Sequence, residues 1–80
     1  MRTQPTERVV LYSRQGCHLC DVARPVVAAA VAPAGSFQEV DVDTDPELVA
    51  RYGELVPAVT VDGVLVDYWR IDADRLRAAL

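Results

Sequence analysis

Cys17 and Cys20, separated by two residues in the run Cys17-His18-Leu19-Cys20, are the side chains of this sequence best suited to covalent chemistry. A pair at this spacing either exchanges thiols with disulfides or supplies part of a metal site. Exchange requires a thiolate. A cysteine at a helix N-terminus faces unpaired backbone N–H groups and the positive end of the helix dipole, which lower its pKa from about 8.5 to roughly 3.5–7.5. Structural zinc, by contrast, takes four ligands. The chain holds two cysteines and one histidine, His18, so zinc or an iron–sulfur cluster would require a second chain or an external thiol such as glutathione. No metal site is expected within one chain.

The neighbours of the pair bear on its reactivity. His18 either stabilises a thiolate as a nearby cation or points into solvent from the first helical turn. Asp21 acts against the thiolate, because a nearby carboxylate disfavours a second negative charge. Arg14 is a loop cation three residues before Cys17. Pro25 cannot donate a hydrogen bond to the carbonyl of Asp21, so a kink is expected one turn below the pair.

The elements that must hold these residues follow from periodicity. Val9 to Tyr12 is a continuous β-prone run, as in a strand covered on both faces. Ser13 to Gly16 is a loop. Leu19, Val22, Ala23, Val26, Val27 and Ala30 then recur at helical spacing, with Asp21 and Arg24 opposite them, and Pro33 and Gly35 close the helix. Phe37 to Val42 reads as a second strand. Asp45 is an N-cap with Pro46 in the first helical position, and Gly53 ends that short helix. Ala58 to Val61 and Val64 to Tyr68 are strands joined by Asp62-Gly63, a strong short hairpin signal. Asp72 caps a last helix whose apolar residues are Ala73, Leu76 and Leu80.

The order β-α-β-α-β-β-α predicts an α/β domain with a mixed four-stranded sheet. The first two strands should be parallel across a right-handed helical crossover. Residues 8–80 form this single domain, and residues 1–7 are expected to be a flexible N-terminal tail. Pro57 enters the third strand, where it does not interrupt a central ladder.

Composition excludes other classes. The net charge of −4 argues against a nucleic-acid partner, which clustered cations would have to neutralise. All eight basic residues are arginine. The polar start of the chain does not read as a secretory signal. Val26 to Ala32 is far too short to span a bilayer. The expected compartment is the cytoplasm, without membrane association, where a cysteine pair serves chemistry or metal rather than a structural staple.

The stretch Leu11-Tyr12-Ser13-Arg14-Gln15-Gly16-Cys17-His18-Leu19-Cys20-Asp21 resembles the opening of glutaredoxin-like proteins of the thioredoxin superfamily. Val56-Pro57 resembles that family's cis-proline segment and Val61-Asp62-Gly63 its hairpin. The resemblance covers Arg8 to Leu80 and implies a thioredoxin fold of the minimal glutaredoxin type. It implies thiol–disulfide oxidoreductase activity, with Cys17 as nucleophile, Cys20 as resolving cysteine and a redox-active Cys17–Cys20 disulfide. Pro57 would be the cis residue beside the pair, and Val56 would offer its backbone to the substrate. Arg14 would stand where a glutathione carboxylate is contacted, with His18 also in the substrate-binding set.

No organic cofactor is implied. The expected partners are a disulfide-bearing protein or small thiol and an external reductant, either glutathione or a reductase, and the chain is expected to act as a monomer. The alternative implied by the same residues is a dimeric iron–sulfur module using Cys17 and an external thiol. Two departures stand out: His18-Leu19 replaces Pro-Tyr between the cysteines, and Asp67-Tyr68-Trp69-Arg70 replaces a Gly-Gly pair that would let glutathione approach the backbone. Weaker glutathione binding is expected from the second.

Overall fold

A computed structural model describes residues 6–33 and 35–80. Its sheet has the strand order β2-β1-β3-β4, with β1 (Val9–Ser13), β2 (Phe37–Asp41), β3 (Ala58–Val61) and β4 (Val64–Tyr68). β1 pairs parallel with β2 and antiparallel with β3, and β3 pairs antiparallel with β4. The mixed four-stranded sheet expected from the sequence is therefore present. Helix α1 spans His18–Val31, α2 spans Pro46–Tyr52 and α3 spans Ala73–Ala79.

The five residues of β1 are all buried, because the strand is central and both its faces are covered. Alternation along it divides the core. Val9 and Leu11 pack with Ala23, Val27 and Ala30 of α1, Val59 and Val61 of β3, and Leu76 of α3. Val10 and Tyr12 face the other way, toward Val40, Val42, Tyr52 and Ala58. The Tyr12 and Tyr52 rings stack there with centroids 4.3 Å apart. Burial, with Tyr52 second, raises the Tyr12 pKa.

The local signals are realised in the backbone. Asp45 accepts the Glu47 N–H at 2.9 Å at the head of α2, Pro46 sits in its first turn, and Gly53 caps its end. Asp62 and Gly63 have φ of 52° and 84°, the left-handed pair of a tight hairpin turn. Asp72 accepts from the N–H groups of Asp74 and Arg75 at the head of α3.

Several expectations are corrected. Val22 is 51% exposed, because α1 buries the stripe of Cys20, Ala23, Val27, Ala30 and Val31 instead. β2 ends at Asp41, whose side chain caps a 3-10 turn at Val42–Thr44, so the fully buried Val42 belongs to the turn. Of the apolar residues expected in the last helix, Leu76 is fully buried but Leu80 is exposed. The helix end is as expected, since α1 stops at Val31, just before Pro33, and a cis Ala32–Pro33 peptide bond follows it. Of the expected tail, residues 1–5 lie outside the described residues, and the Thr6 N–H donates to Gln38 Oε1 of β2 at 2.9 Å.

One irregularity matters for the site. The β3–β4 register shifts between Val59 and Thr60, which pair with Asp67 and Leu65, leaving Val66 as a bulge residue. The bulge reverses the alternation of β4, so Asp67 shares the face of its partner Val59. That face is covered by α1 and α3, and Asp67 is 5% exposed. Its carboxylate accepts from the N–H of Asp72 at 2.9 Å and from Arg75 Nη1 at 3.2 Å, tying the end of the sheet to the start of α3. Among the described residues no helix is long and apolar enough to cross a membrane.

Candidate active site

Cys17 is the N-cap of α1. Its backbone is extended (φ −88°, ψ 108°), and its Sγ accepts the Cys20 N–H at 3.2 Å. The loop before it is a turn closed by the Cys17 N–H on the Arg14 carbonyl at 3.3 Å. Gly16 supplies the turn's left-handed φ of 78°, which a side chain would disfavour. Cys17 is half-buried, whereas Cys20 is 1% exposed on the core side of α1. The two form a disulfide with Cα atoms 5.2 Å apart. Cys17 is therefore the more accessible of the two and Cys20 the sheltered one.

Beside the pair lies a groove of about 680 Å³ lined by Leu19, Val56, Tyr68, Trp69 and Arg70, with Asp67 and Arg75 at its edge. Leu19 comes from between the cysteines. Val56 precedes the fully buried Pro57 across a cis peptide bond. The Pro57 carbonyl accepts the Trp69 N–H at 2.8 Å, which fixes the segment after β4 against the segment before β3. Among the described residues, the N–H and C=O of Val56 have no hydrogen-bond partner.

The remaining expected site residues are placed differently. Arg14 is not in this groove. Its guanidinium is bound to the Asp43 carboxylate through Nε and Nη2, and Nη1 reaches the Gly53 carbonyl. A carboxylate contact of substrate was expected at Arg14, and that guanidinium already holds an anion. His18 is exposed in the first turn of α1 and has no side-chain partner among the described residues.

Asp21, expected to oppose a thiolate, is held by Arg24 Nη1 at 3.3 Å. Arg24 also binds both oxygens of Glu39 at 2.6 and 2.8 Å, and the buried Ser13 donates to Glu39 at 2.8 Å. The Arg24 hydrogen bond holds the Glu39 carboxyl below its ordinary pKa, while partial burial pulls the other way. No group of three or more His, Cys, Asp or Glu side chains poised for a metal occurs among the described residues.

Tyr68 and Trp69 do not pack into the core. They are 42% and 53% exposed, their rings in edge contact 5.0 Å apart. Trp69 has a left-handed φ of 65°, and its indole N–H donates to the Glu54 carbonyl at 3.0 Å. The roles of Asp67 and Arg75 were missed, because they depend on the bulge. The signal available was an acidic residue in a β-prone run immediately before an aromatic pair.

The family model of the glutaredoxin-like domain (DUF836) matches residues 8–80. An uncharacterized protein of Mycobacterium tuberculosis is 34% identical, over 89% of this chain and 79% of its own length. A crystal structure of a protein from X. campestris superposes with a TM-score of 0.73 at 43% identity, covering 89% of this chain and 92% of the other. The solution structure of a glutaredoxin from Brucella melitensis superposes with a TM-score of 0.61 at 26% identity, covering 96% and 82% respectively. Together with the Cys17–Cys20 disulfide at the head of α1, these likenesses support a thiol–disulfide redox role at the level of the family. With its sheet order, its cysteine pair and a family match running from Arg8 to the last residue, the chain belongs to the glutaredoxin-like domain family.

Proposed function

We propose that this chain is a dithiol oxidoreductase that reduces disulfides or mixed disulfides. The observation that carries the reading is the asymmetry of the pair: a half-buried Cys17 whose Sγ receives a backbone N–H at the helix head, linked to a buried Cys20. In the reduced protein the Cys17 thiolate attacks one sulfur of the substrate disulfide. A bond forms between Cys17 and substrate, the substrate S–S bond breaks, and one substrate thiolate leaves. Cys20 then loses its proton and attacks Cys17 Sγ, releasing the second substrate thiol. Two electrons pass to substrate, and an external thiol or a reductase restores the pair.

The same N–H that meets Cys17 Sγ stabilises its anion, as does the helix dipole. Engagement of Asp21 by Arg24 offsets a negative charge that would oppose it. The unpaired N–H and C=O of Val56 are suited to pairing with an extended substrate, as an added strand pairs with a sheet edge. Pro57 brings no N–H of its own to that edge. His18, exposed beside Cys17, stands where it meets bound substrate, and Arg14 positions the loop that carries Cys17. The chain acts as a monomer with no cofactor beyond the cysteines. The reductive direction calls for a compartment that keeps thiols reduced, the cytoplasm.

Turnover of a glutathione mixed disulfide, with glutathione and thioredoxin reductase compared as electron sources, tests the reading. Cys17→Ser abolishes exchange, whereas Cys20→Ser accumulates a mixed disulfide on Cys17. An adduct that forms only on Cys20 would overturn the assignment.

A further inference from the structure

The groove beside the cysteines is chemically divided. Leu19, Val56, Tyr68 and Trp69 present an apolar wall, and the two aromatic rings are largely exposed. The charged side carries Arg70 and Arg75 against a single acid, Asp67. Asp67 is buried, and its oxygens are taken by Arg75 and by the N–H groups of Tyr68 and Asp72. Arg70 is exposed and has no ion-pair or hydrogen-bond partner among the described residues. On a chain of net charge −4, this leaves a locally cationic end on an apolar groove.

Tryptophan, tyrosine and arginine are the residue types enriched at the energetic centres of polypeptide interfaces, and this groove presents all three. It is a poor match to a small, highly polar thiol, which has little apolar surface to bury against two rings. Arg14, in the loop before Cys17, is already bound to Asp43.

We infer that the groove selects polypeptide disulfides in which the reactive cysteine is flanked by a bulky apolar side chain, seated on Trp69, and a carboxylate, paired with Arg70. This rests on the oxidoreductase reading and names its substrate class. The chemistry is one exchange cycle: the two thiols of the reduced protein become a disulfide as the peptide disulfide becomes two thiols, so a single turnover needs no further reductant.

The test uses the full chain, reduced and freed of reductant, with disulfide peptides of equal length. Each carries Phe beside one cysteine and either Glu or Lys at the next position, and a third replaces Phe by Ala in the Glu peptide. The Glu peptide is reduced about 5-fold faster than the Lys peptide at low salt, the size of one exposed charge pair. Arg70→Glu inverts that ratio. Replacing Phe by Ala slows the unmodified protein about 10-fold, as loss of an aromatic anchor does, and has little further effect in Trp69→Ala.

Equal rates for the Glu and Lys peptides, or a ratio unchanged in Arg70→Glu, overturn the inference. Arg70 is on the surface, so that variant carries the test even if Trp69→Ala fails to fold. The unmodified protein is also given 2-hydroxyethyl disulfide, a small neutral substrate. Reduction of this with no preference among peptides sinks the substrate class alone. Failure to reduce any disulfide sinks the oxidoreductase reading and the inference with it.

Discussion

Arg14 clasps Asp43, its Nε and Nη2 each donating to a carboxylate oxygen at 3.1 Å, and reaches the Gly53 carbonyl with Nη1 at 3.4 Å. Three segments meet in that guanidinium: the loop that leads to Cys17, the 3-10 turn after β2, and the end of α2. A residue that the family resemblance assigns to a substrate carboxylate is thus used to brace the loop.

Arg14→Ala separates the two roles. The pair is partly exposed, its side chains 35% and 52% accessible, so its loss costs only about 0.5–1 kcal/mol. In a domain of this size that lowers Tm by roughly 4–8 °C per kcal/mol. Asp43→Ala has a similar effect and the double variant little more, since both remove one interaction. KM for glutathione stays within about 2-fold of the unmodified protein, whereas loss of a direct charge-assisted contact would raise it on the order of 10-fold. Steady-state kinetics with glutathione as reductant decides between them.

A second prediction concerns Trp69, whose φ of 65° lies in the left-handed region. A side chain there costs on the order of 1–2 kcal/mol relative to glycine. Trp69→Gly and Trp69→Ala both lose the indole contact with the Glu54 carbonyl, but only glycine relieves the backbone. Trp69→Gly is therefore more stable than Trp69→Ala by about 1 kcal/mol, a difference readable in urea midpoints. Equal midpoints would show that the backbone relaxes when the ring is removed. The sequence placed the missing Gly-Gly pair within Asp67-Tyr68-Trp69-Arg70, and within that stretch the left-handed backbone falls at Trp69.

The contrast between these residues shows what sequence reveals. Asp45-Pro46, Asp62-Gly63 and Asp72 act through contacts within a few positions, so residue type alone located the ends of their elements. Cys17 and Cys20 were legible for the same reason, since a strand, a turn and a helix head lie within a short stretch. The bulge at Val66 was not, because it is a relation between two strands, and it decides which face Asp67 takes. The Arg14–Asp43 pair spans 29 positions, and nothing local marks either partner. Val22 fits the helical stripe by spacing yet stays exposed, because neighbouring elements decide which part of the stripe is covered.

Asp67 supports the third prediction. Its carboxylate accepts the N–H groups of Tyr68 and Asp72, each at 2.9 Å, and Arg75 Nη1 at 3.2 Å. Asp67→Ala strips all three donors of their acceptor and costs about 1–3 kcal/mol. Asp67→Asn retains one acceptor oxygen and costs about half as much. The loss falls on α3, so amide hydrogen exchange speeds up there before it does in β1. Uniform acceleration across the domain would contradict the view that Asp67 pins α3 to the sheet.

The last prediction follows acid through Glu39. Its carboxyl is held below the ordinary glutamate value, chiefly by the Arg24 hydrogen bond, against the opposing effect of burial and with a lesser contribution from Ser13. A group whose folded pKa is depressed binds fewer protons folded than unfolded, so stability rises with pH through that interval. The contribution is fully present above the unfolded glutamate pKa of about 4.3. It is lost as pH falls from there through the depressed folded value. Asp72, lowered by the backbone N–H groups of Arg75 and Asp74, adds a parallel loss from an exposed position.

The urea midpoint of the unmodified protein is therefore level near neutrality and declines as pH falls below about 5. Glu39→Gln keeps an acceptor for Ser13 and Arg24 but has no charge to lose. It is less stable than the unmodified protein at pH 7 and loses less on acidification, so the two curves converge at low pH. Parallel curves from pH 7 to pH 3 would place the acid sensitivity elsewhere and reduce the Arg24–Glu39 pair to a surface contact without net effect.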